Sequence, residues 1–544
     1  MKLHYSRNNL KGKEKKLQRA LEILPGAISW TILIGALLLT FWKPVWAAVL
    51  VISFDLYWLL RLLYMTFFLV LSYLRLSMEN QTDWMERVRG LENVEQYLQE
   101  PRPLSPKARF RQKLSHWTHL QELQALTQNG SLPPRWSDIR HVVIIPIAKE
   151  SRNVFEPGIR SLAHQQFPPK QILVVLAVED RTPMEIKKAA QAVQQQYRSL
   201  FLDFLVASHP DGLPGEARVK GANATCAGKE AARYLERQGV PFEKVIVSCF
   251  DADTVVSPHY FACVTYQFMV CPQRTRASFQ PIPVYHNNIW KVPGFARVLD
   301  VGSSFFQLVE ATNPEKLVTF SSHSMSFQAL VEIGYWPVDM ISDDSAIFWK
   351  AFLHYEGDYR VVPMYVTVSM DVAASDSWRK TVVNVYRQKR RWAWGVENFP
   401  IVMRGFLHAQ KLPLSKKIKN GFKLFESNVA WATWPFLLGV ISWLPAFFAG
   451  LEFSNSVLYY TAPRITATIF RLGSISLLTT IALSMSILPK APTRNPLLKK
   501  IGHAFEWLLV PVTAIFLSAI PALDAQTRLM LGRYMEFWVT DKKR

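Results

Sequence analysis

Long apolar runs at both ends of the chain constrain its fold more than any other feature. Residues 25–42 form the first run and contain no charged side chain, and a second run begins at Val45 after a Lys-Pro break. A helix of about 20 apolar residues spans the hydrocarbon core of a bilayer. We therefore predict a transmembrane helical hairpin over residues 25–76, preceded by a basic cytoplasmic tail over residues 1–24.

Further apolar runs lie towards the C-terminus, over residues 429–450, 465–488 and 505–520. The first two predict a pair of transmembrane helices within residues 428–490. The third is shorter and contains Pro511, so we predict an interfacial or re-entrant helix followed by a tail within residues 491–544. Residues 401–427 are basic with apolar residues at helical spacing, which indicates an amphipathic segment on the membrane surface.

The charge distribution indicates a membrane protein rather than a nucleic-acid binder. The 544-residue chain has a formal net charge of +21, but its basic residues cluster beside the apolar runs. Cytoplasmic segments flanking membrane spans carry such an excess of Lys and Arg. We therefore expect an integral, multi-pass protein with the lipid bilayer as a partner, no nucleic acid, and a cytoplasmic N-terminus. Two crossings then return the chain to the cytoplasm before its long polar middle part.

The polar middle part is predicted to hold a helical connector over residues 77–139 and an α/β domain over residues 140–400. Short β-branched runs alternate there with helical stretches, a pattern typical of a doubly wound, mostly parallel sheet. The four runs predicted as strands are residues 141–147, 172–178, 201–207 and 244–250.

Acidic residues follow three of these strands. They are Glu150 after the first strand, Glu179 and Asp180 after the second, and Asp251 and Asp253 in an Asp-Ala-Asp triplet after the fourth. Ligands of doubly wound sheets bind beyond the carboxyl ends of the strands, so these carboxylates are expected to converge. A divalent cation such as Mg²⁺ or Mn²⁺ would suit such oxygen ligands. The triplet alone could equally be a solvated turn.

Two later motifs add charged and aromatic groups. Asp343 and Asp344 precede a predicted helix, where they could carry chemistry, cap the helix, or do both. The stretch Gln-Lys-Arg-Arg-Trp contains Gln388, Arg391 and Trp392. Its guanidinium groups suit phosphate and its indole offers a flat face for a sugar ring. The alternative is a basic juxtamembrane helix with an aromatic interface anchor.

Taken in order, the acidic pair, DAD, SDD and QKRRW resemble the D, DxD, TED, QxxRW series of family 2 glycosyltransferases, in the membrane branch that includes cellulose, chitin and hyaluronan synthases. Smaller matches agree with this resemblance. VIIPIAKES places Glu150 at an acidic family position, ARVKGANA places Arg218 at a Lys position and Asn223 at an Asn position, and SFQPIP contains Gln280. The tail FWVTDK is similar to the gating-loop motif of cellulose synthases and includes Lys542.

The resemblance implies an α/β GT-A fold, Rossmann-like with a mostly parallel sheet, as a cytoplasmic domain inserted between α-helical transmembrane segments. It also implies an inverting glycosyltransferase with Asp344 as general base. The nucleotide-sugar donor, expected to be a UDP-sugar, would contact Glu150, Glu179, Asp180, Arg218, Asp251, Gln388, Arg391 and Lys542.

The metal is assigned by the same resemblance to Asp253 and Asp251. The acceptor, a glycan or a lipid-linked molecule, is assigned to Trp392, Asp343 and Gln280. The chain departs from the family where TED becomes SDD and where FSSHS replaces a GTN-like sequence. Processive polysaccharide synthesis, single transfer to a lipid-linked acceptor, and a catalytically degenerate nucleotide-binding scaffold therefore remain alternatives.

Overall fold

The computed structural model describes residues 5–8, 10–99, 110–128, 133–445, 457–491, 496–538 and 540. The strands are β1 Arg140–Ile147, β2 Ile172–Glu179, β3 Asp203–His209, β4 Val245–Cys249, β5 Val255–Val256, β6 Ala277–Val284, β7 Ser324–Ser326 and β8 Arg360–Ser369. The helices that precede the sheet are α1 Gly12–Trp42, α2 Pro44–Glu79, α3 Trp84–Gly90, α4 Val94–Gln99 and α5 Phe110–Gln128.

The helices within the α/β region are α6 Arg152–Ala163, α7 Met184–Tyr197, α8 Lys220–Arg237, α9 Tyr260–Val270, α10 Gly294–Ala311, α11 Phe327–Glu332, α12 Asp343–His354 and α13 Trp378–Ala393. Those that follow are α14 Asn398–His408, α15 Leu414–Gly439, α16 Val457–Ile487, α17 Pro496–Glu506, α18 Val510–Ala514 and α19 Ile520–Met530. A π-helical turn, Ile515–Ala519, joins the last two.

The described strands form one mixed sheet in the order β3-β2-β1-β4-β7-β6-β8-β5. The β1–β2, β1–β4, β2–β3 and β6–β8 pairs are parallel, whereas the pairs that β7 makes with β4 and β6, and the β5–β8 pair, are antiparallel. The predicted α/β fold with apolar helices before and after the sheet is confirmed. The four predicted strands correspond to β1–β4, but the antiparallel β7 was not foreseen.

Two hydrophobic cores cover the faces of the sheet. On one face, α6, α7 and α9 pack on β1 and β2 together with connector residues such as Trp84 and Leu123. On the other face, α8, α11, α12 and α14 pack on the alternate side chains of the same strands. Every residue of β2 is buried, as expected for a strand covered on both sides. Burial on both faces makes the sheet a rigid base for residues at its edge.

Four helical segments in the described part of the chain are long and apolar enough to cross a membrane. They are Gly12–Trp42, Pro44–Glu79, Ala467–Ile487 and Leu497–Met530. The first two match the predicted hairpin and the third matches one predicted C-terminal span. The predicted span over residues 429–450 lies partly outside the described residues. The interfacial or re-entrant placement of residues 505–520 stays a prediction, since Leu497–Met530 has the length and composition to cross.

Candidate active site

A polar pocket opens at the carboxyl ends of β1, β2 and β4. Its walls come from the loops after these strands, the start of α8, helix α13 and the C-terminal tail. Lining residues include Glu150, Glu179, Lys220, Asp251, Arg391 and Phe537. The edge is the one at which open α/β sheets bind ligands. Carboxylates and cations thus meet where the sequence predicted a site.

Lys220 is the centre of this pocket. It is the first residue of α8. Its Nζ lies 2.8 Å from Asp251 Oδ1, 2.9 Å from Asp344 Oδ1 and 3.9 Å from Asp343 Oδ2. Burial alone would lower the pKa of Lys220, but the three carboxylates raise it well above its usual value. The ammonium group therefore stays charged and holds together two motifs that are about 90 residues apart in the sequence.

Gly221 explains how α8 comes this close to the acidic loop. A Cβ at this position would lie 2.3 Å from the Pro337 carbonyl oxygen and 3.2 Å from Asp343 Cβ. In a close-packed interior, neither the Pro337 carbonyl group nor helix α8 can move far enough to accommodate a Cβ atom at this distance. The absence of a side chain at Gly221 is what allows Lys220 to reach both Asp251 and Asp344.

The Asp-Ala-Asp triplet follows β4 and turns its first carboxylate into the pocket. Asp251 Oδ2 accepts a hydrogen bond from Ser321 Oγ at 2.5 Å, and Asp251 N donates to Ser322 Oγ at 3.3 Å. Asp253 is fully buried, and its Oδ2 accepts from Asp371 N at 2.7 Å. The FSSHS sequence that departs from the family pattern therefore lies directly against the triplet.

Asp343 and Asp344 occupy the first turn of α12 but differ in environment. Asp343 is buried, and its pKa is raised to about 8 by burial and then by repulsion from Asp344 and Asp251, against the lowering effect of Lys220. The Asp344 side chain is 28% exposed, and its backbone oxygen accepts from Thr319 Oγ1 at 2.6 Å. Asp344 is thus the more exposed member of the pair.

Helix α13 carries the predicted Gln388, Arg391 and Trp392. Arg391 lines the pocket, and its guanidinium carbon lies 5.2 Å from the Phe537 ring centroid. Trp392 packs edge-on against Phe320 at 5.9 Å and lies under Lys389 Nζ at 3.9 Å. Gln388 is buried, and its Oε1 has no hydrogen-bond partner among the described residues.

The predicted acidic residues at the ends of β1 and β2 form hydrogen bonds or ion pairs with nearby groups. Glu150 lines the pocket and its Oε2 accepts from Ala148 N at 2.8 Å. Glu179 also lines the pocket and pairs with Arg181. Asp180 lies beside them, and its Oδ1 accepts from Ser208 Oγ at 2.7 Å.

Of the predicted site residues that the structure describes, only Glu150, Glu179, Asp251 and Arg391 line the pocket, and Gln280 and Arg218 are among those that do not. Gln280 is buried, and its Oε1 accepts from Phe320 N at 2.7 Å. Arg218 is 68% exposed and pairs with Asp211 at 2.9 Å, so the structure does not bring it into the pocket. Lys542 lies outside the described residues. The donor and acceptor roles given to these residues stay predictions.

Lys220 and Ser321 were not predicted as site residues from the sequence. The available signal for Lys220 was its place directly before Gly221 in ARVKGAN, where a glycine marks a close approach of the helix to another element. Ser321 gave no local signal, because its contact with Asp251 depends on the packing of β7 beside β4.

The Asp-Ala-Asp triplet provides suitable oxygen ligands for a hard cation, but too few of them to hold it alone. Asp251 and Asp253 provide carboxylate oxygens, which Mg²⁺ and Mn²⁺ prefer. Both oxygens of Asp251 already accept from Lys220 and Ser321. No group of three or more His, Cys, Asp or Glu side chains that could hold a metal ion occurs in the described ranges. A cation here would therefore need further oxygen ligands from a bound diphosphate.

Comparison with known proteins gives one family and several partial relatives. The family model described as glycosyl transferase family group 2 matches residues 246–485. A poly-β-1,6-N-acetyl-D-glucosamine synthase of Staphylococcus epidermidis is 28% identical over 152 residues, which cover 27% of this chain and 31% of that protein. The enzyme of the same name from Staphylococcus aureus strain COL is 30% identical over 105 residues, covering 19% of this chain and 22% of that protein. The chain thus matches less than a third of the length of these curated relatives.

Solved structures resemble the chain only distantly. The mannosyltransferase PcManGT from Pyrobaculum calidifontis, in complex with GDP-Man and Mn²⁺, superposes with a TM-score of 0.39 at 15% identity, over 78% of this chain and 99% of that one. Residues 1–349 of S. aureus TarS, in complex with UDP-GlcNAc, give a TM-score of 0.35 at 13% identity, over 74% and 95% of the two chains. These similarities are too weak to support an argument about substrate.

Proposed function

We propose that the chain is an inverting family 2 glycosyltransferase that moves a sugar from a nucleotide-diphosphate sugar to a hydroxyl group of a glycan acceptor. The match of the glycosyl transferase family group 2 model to residues 246–485 supports this proposal. The observation that carries this proposal is the position of Lys220 between Asp251 and Asp344 in a pocket that Arg391 also lines. The carboxylate proposed for proton transfer then lies 2.9 Å from a cation that lines the pocket, and a displacement at the sugar carbon requires such proximity.

In the proposed reaction, Asp344 accepts the proton of the attacking hydroxyl group. The new bond forms between that oxygen and the anomeric carbon, while the bond from this carbon to the diphosphate oxygen breaks and its electron pair leaves with the nucleoside diphosphate. Asp344 is the exposed member of the acidic pair, which supports its role as general base.

Positive charge beside the leaving diphosphate would come from Arg391 and Lys220, since both line the pocket. A divalent cation bound jointly by Asp251, Asp253 and the diphosphate would add to this charge. Fixed charges of this kind stabilise a leaving group without reorganising solvent during the reaction. Trp392 and Gln388, on the same helix as Arg391, are proposed to hold the acceptor sugar.

The first donor to test is UDP-N-acetylglucosamine, because the partial relatives are named for a polymer of N-acetylglucosamine. Glu150 and Glu179 at the ends of β1 and β2 are proposed to hold the nucleoside part, because both line the pocket. Processive polymer synthesis is the preferred outcome of this proposal, and single transfer to a lipid-linked acceptor is its alternative.

We also propose that the pocket faces the cytoplasm together with both chain ends. Phe537 and Thr540 of the C-terminal tail line the pocket, which requires the tail and the pocket to lie on one side of the membrane. Tyr5 in the basic N-terminal tail donates to Asn398 Oδ1 at 2.7 Å, which puts this end on the same side. Cysteine labelling of both ends in sealed vesicles tests the topology, and labelling of the two ends from opposite sides would contradict it.

The enzymatic proposal is tested by incubating purified protein with radiolabelled nucleotide sugars and sizing the products. We expect one donor to give a labelled glycan, and Asp344→Asn to lower its formation by about 10²–10⁴-fold, the contribution typical of base catalysis. The matched control is Asp211→Asn, an exposed aspartate paired with Arg218, which should keep the wild-type rate. Equal rates for the Asp344 variant and the wild type would remove this residue from the mechanism.

A further inference from the structure

A buried carboxylate outside the pocket holds the backbone that precedes the acidic pair. Glu397 is 3% exposed and lies directly before α14. Its Oε1 accepts from Ile341 N at 3.0 Å, Ser342 N at 3.0 Å and Ser342 Oγ at 2.8 Å. Its Oε2 accepts from Trp394 Nε1 at 2.9 Å. Four donors therefore converge on one carboxylate, and three of them belong to the two residues before Asp343.

Asn398 also forms hydrogen bonds with the same loop. Its Nδ2 donates to Ser342 Oγ at 3.0 Å and to Ser345 Oγ at 3.1 Å, one residue beyond Asp344. Glu397 and Asn398 thus contact the chain on both sides of the acidic pair. Hydrogen bonds to a charged acceptor are short and strong, so they fix the direction in which this turn presents its side chains.

The N-terminal segment, residues 5–8, completes the surroundings of Glu397 and Asn398. Tyr5 Oη donates to Asn398 Oδ1 at 2.7 Å, and Arg7 Nη1 lies 3.5 Å from Glu397 Oε2. Asn8 Nδ2 donates to Asp339 Oδ2 at 2.8 Å, at the start of the acidic loop. The segment is therefore tied to both the loop and the residues that hold it, although about 390 positions separate them in the sequence.

The same segment reaches the C-terminal tail that covers the pocket. The guanidinium carbon of Arg7 lies 4.1 Å from the Tyr534 ring centroid, three residues before the pocket-lining Phe537. Arg7 therefore touches two elements that border the active site, and it is the only charged residue of the described N-terminal segment that contacts Glu397.

We infer that Glu397 is a positioning residue for Asp343 and Asp344, and that residues 5–8 complete its site by pairing with Glu397 and Asn398. The inference rests on the proposed function, in which Asp344 accepts a proton. Burying a carboxylate stabilises a fold little, because loss of hydration offsets the gain from its partners. The consequence of these contacts is therefore the geometry of the acidic turn, which sets the distance between Asp344 and the attacking hydroxyl group.

The experiment combines hydrogen–deuterium exchange with steady-state kinetics on the full-length protein. In Glu397→Ala, the amides of Ile341 and Ser342 lose their acceptor, so we expect their exchange to rise at least about tenfold. We expect kcat to fall at least about tenfold while the donor KM stays within about twofold. Glu397→Gln, whose amide oxygen can still accept from the loop, should recover most of the kcat that Glu397→Ala loses.

Further variants keep the test independent of misfolding. Ser342→Ala removes one donor and leaves Glu397 with its backbone donors and Trp394, and deletion of residues 1–8 removes the partner segment. Both should raise exchange at the loop and lower kcat with little change in KM. The matched control is Glu230→Gln, since Glu230 is a glutamate of α8 whose side chain is 36% exposed and pairs with Arg233. It should change neither readout.

The possible outcomes separate this inference from the proposed function. Unchanged exchange at Ile341 and Ser342 in Glu397→Ala would overturn the positioning role, whether or not the protein transfers sugar. A rise in donor KM with unchanged kcat would overturn it as well. Failure of the wild-type protein to transfer sugar from any donor would overturn the proposed function, while the exchange measurement would still decide the role of Glu397.

Discussion

Replacing Lys220 with methionine removes the cation that joins the two acidic motifs of the pocket. Its Nζ lies 2.8 Å from Asp251 and 2.9 Å from Asp344, and its side chain is 10% exposed. Coulomb's law at an effective dielectric constant of about 20 gives about 6 kcal/mol for each contact. Restored hydration in the variant offsets much of this, and removal of one partner of a buried pair costs about 3–5 kcal/mol. Both carboxylates are 28% exposed, so we expect the lower end of this range.

The assay is thermal unfolding in detergent, followed by tryptophan fluorescence. A loss of about 3 kcal/mol lowers the apparent Tm of a domain of this size by about 6–12 °C. The loss should be larger at pH 8 than at pH 5, because Asp343, whose pKa is raised to about 8, adds a negative charge to the acidic cluster at the higher pH once the cation is gone. In the proposed reaction the same variant should lower kcat/KM by about 100-fold.

Arg218→Met is the matched control, since it removes a cation only two residues earlier. Arg218 is 68% exposed and pairs with an exposed aspartate, an interaction that contributes about 0–1 kcal/mol. If the Lys220 and Arg218 variants showed the same Tm at both pH values, the carboxylates would not depend on Lys220, and the account of the pocket given above would be refuted.

Three further predictions concern the same pocket. Folding raises the pKa of Asp343 from 3.8 to about 8, so its contribution to stability is full below about pH 4 and is lost as the pH rises through about 8. Asp343→Asn should flatten this fall in an apparent-Tm series across that range, and an equally steep fall in the variant would contradict the shift. Gly221→Ala should destabilise the protein by roughly 1–3 kcal/mol, because its Cβ would meet the Pro337 carbonyl oxygen. Gly395→Ala, which meets no atom within 4 Å, is its control in chemical denaturation and should be near neutral. Chelation by EDTA should abolish sugar transfer and added Mg²⁺ or Mn²⁺ should restore it, whereas full activity in EDTA would rule out the proposed metal.

The sheet could be predicted from the sequence where its signals are local. The runs that became β1–β4 are rich in β-branched residues and bounded by turns, and that pattern depends on neighbouring positions only. The convergence of Glu150, Glu179 and Asp251 was also foreseeable, since parallel strands bring their carboxyl ends to one edge. The antiparallel β7 was not foreseeable, because it has three residues and joins β4 and β6 from a distant part of the chain.

Local sequence signals do not show which of two neighbouring basic residues enters the pocket. Arg218 and Lys220 are two residues apart and both carry a positive charge, yet one faces solvent and the other lies among three carboxylates. The start of α8 at Lys220, and the close approach allowed by Gly221, decide between them. Both depend on how α8 packs against the acidic loop.

The sequence by itself determined the apolar runs, the first four strands and the order of the acidic and basic motifs. Only the tertiary structure decided that Lys220 joins those motifs, that Ser321 holds Asp251, and that the N-terminal segment reaches Glu397. The physical reason is that hydrophobic periodicity and strand direction act over a few residues. Contacts between residues that are hundreds of positions apart depend instead on which surfaces pack together, and no short stretch of sequence specifies that packing.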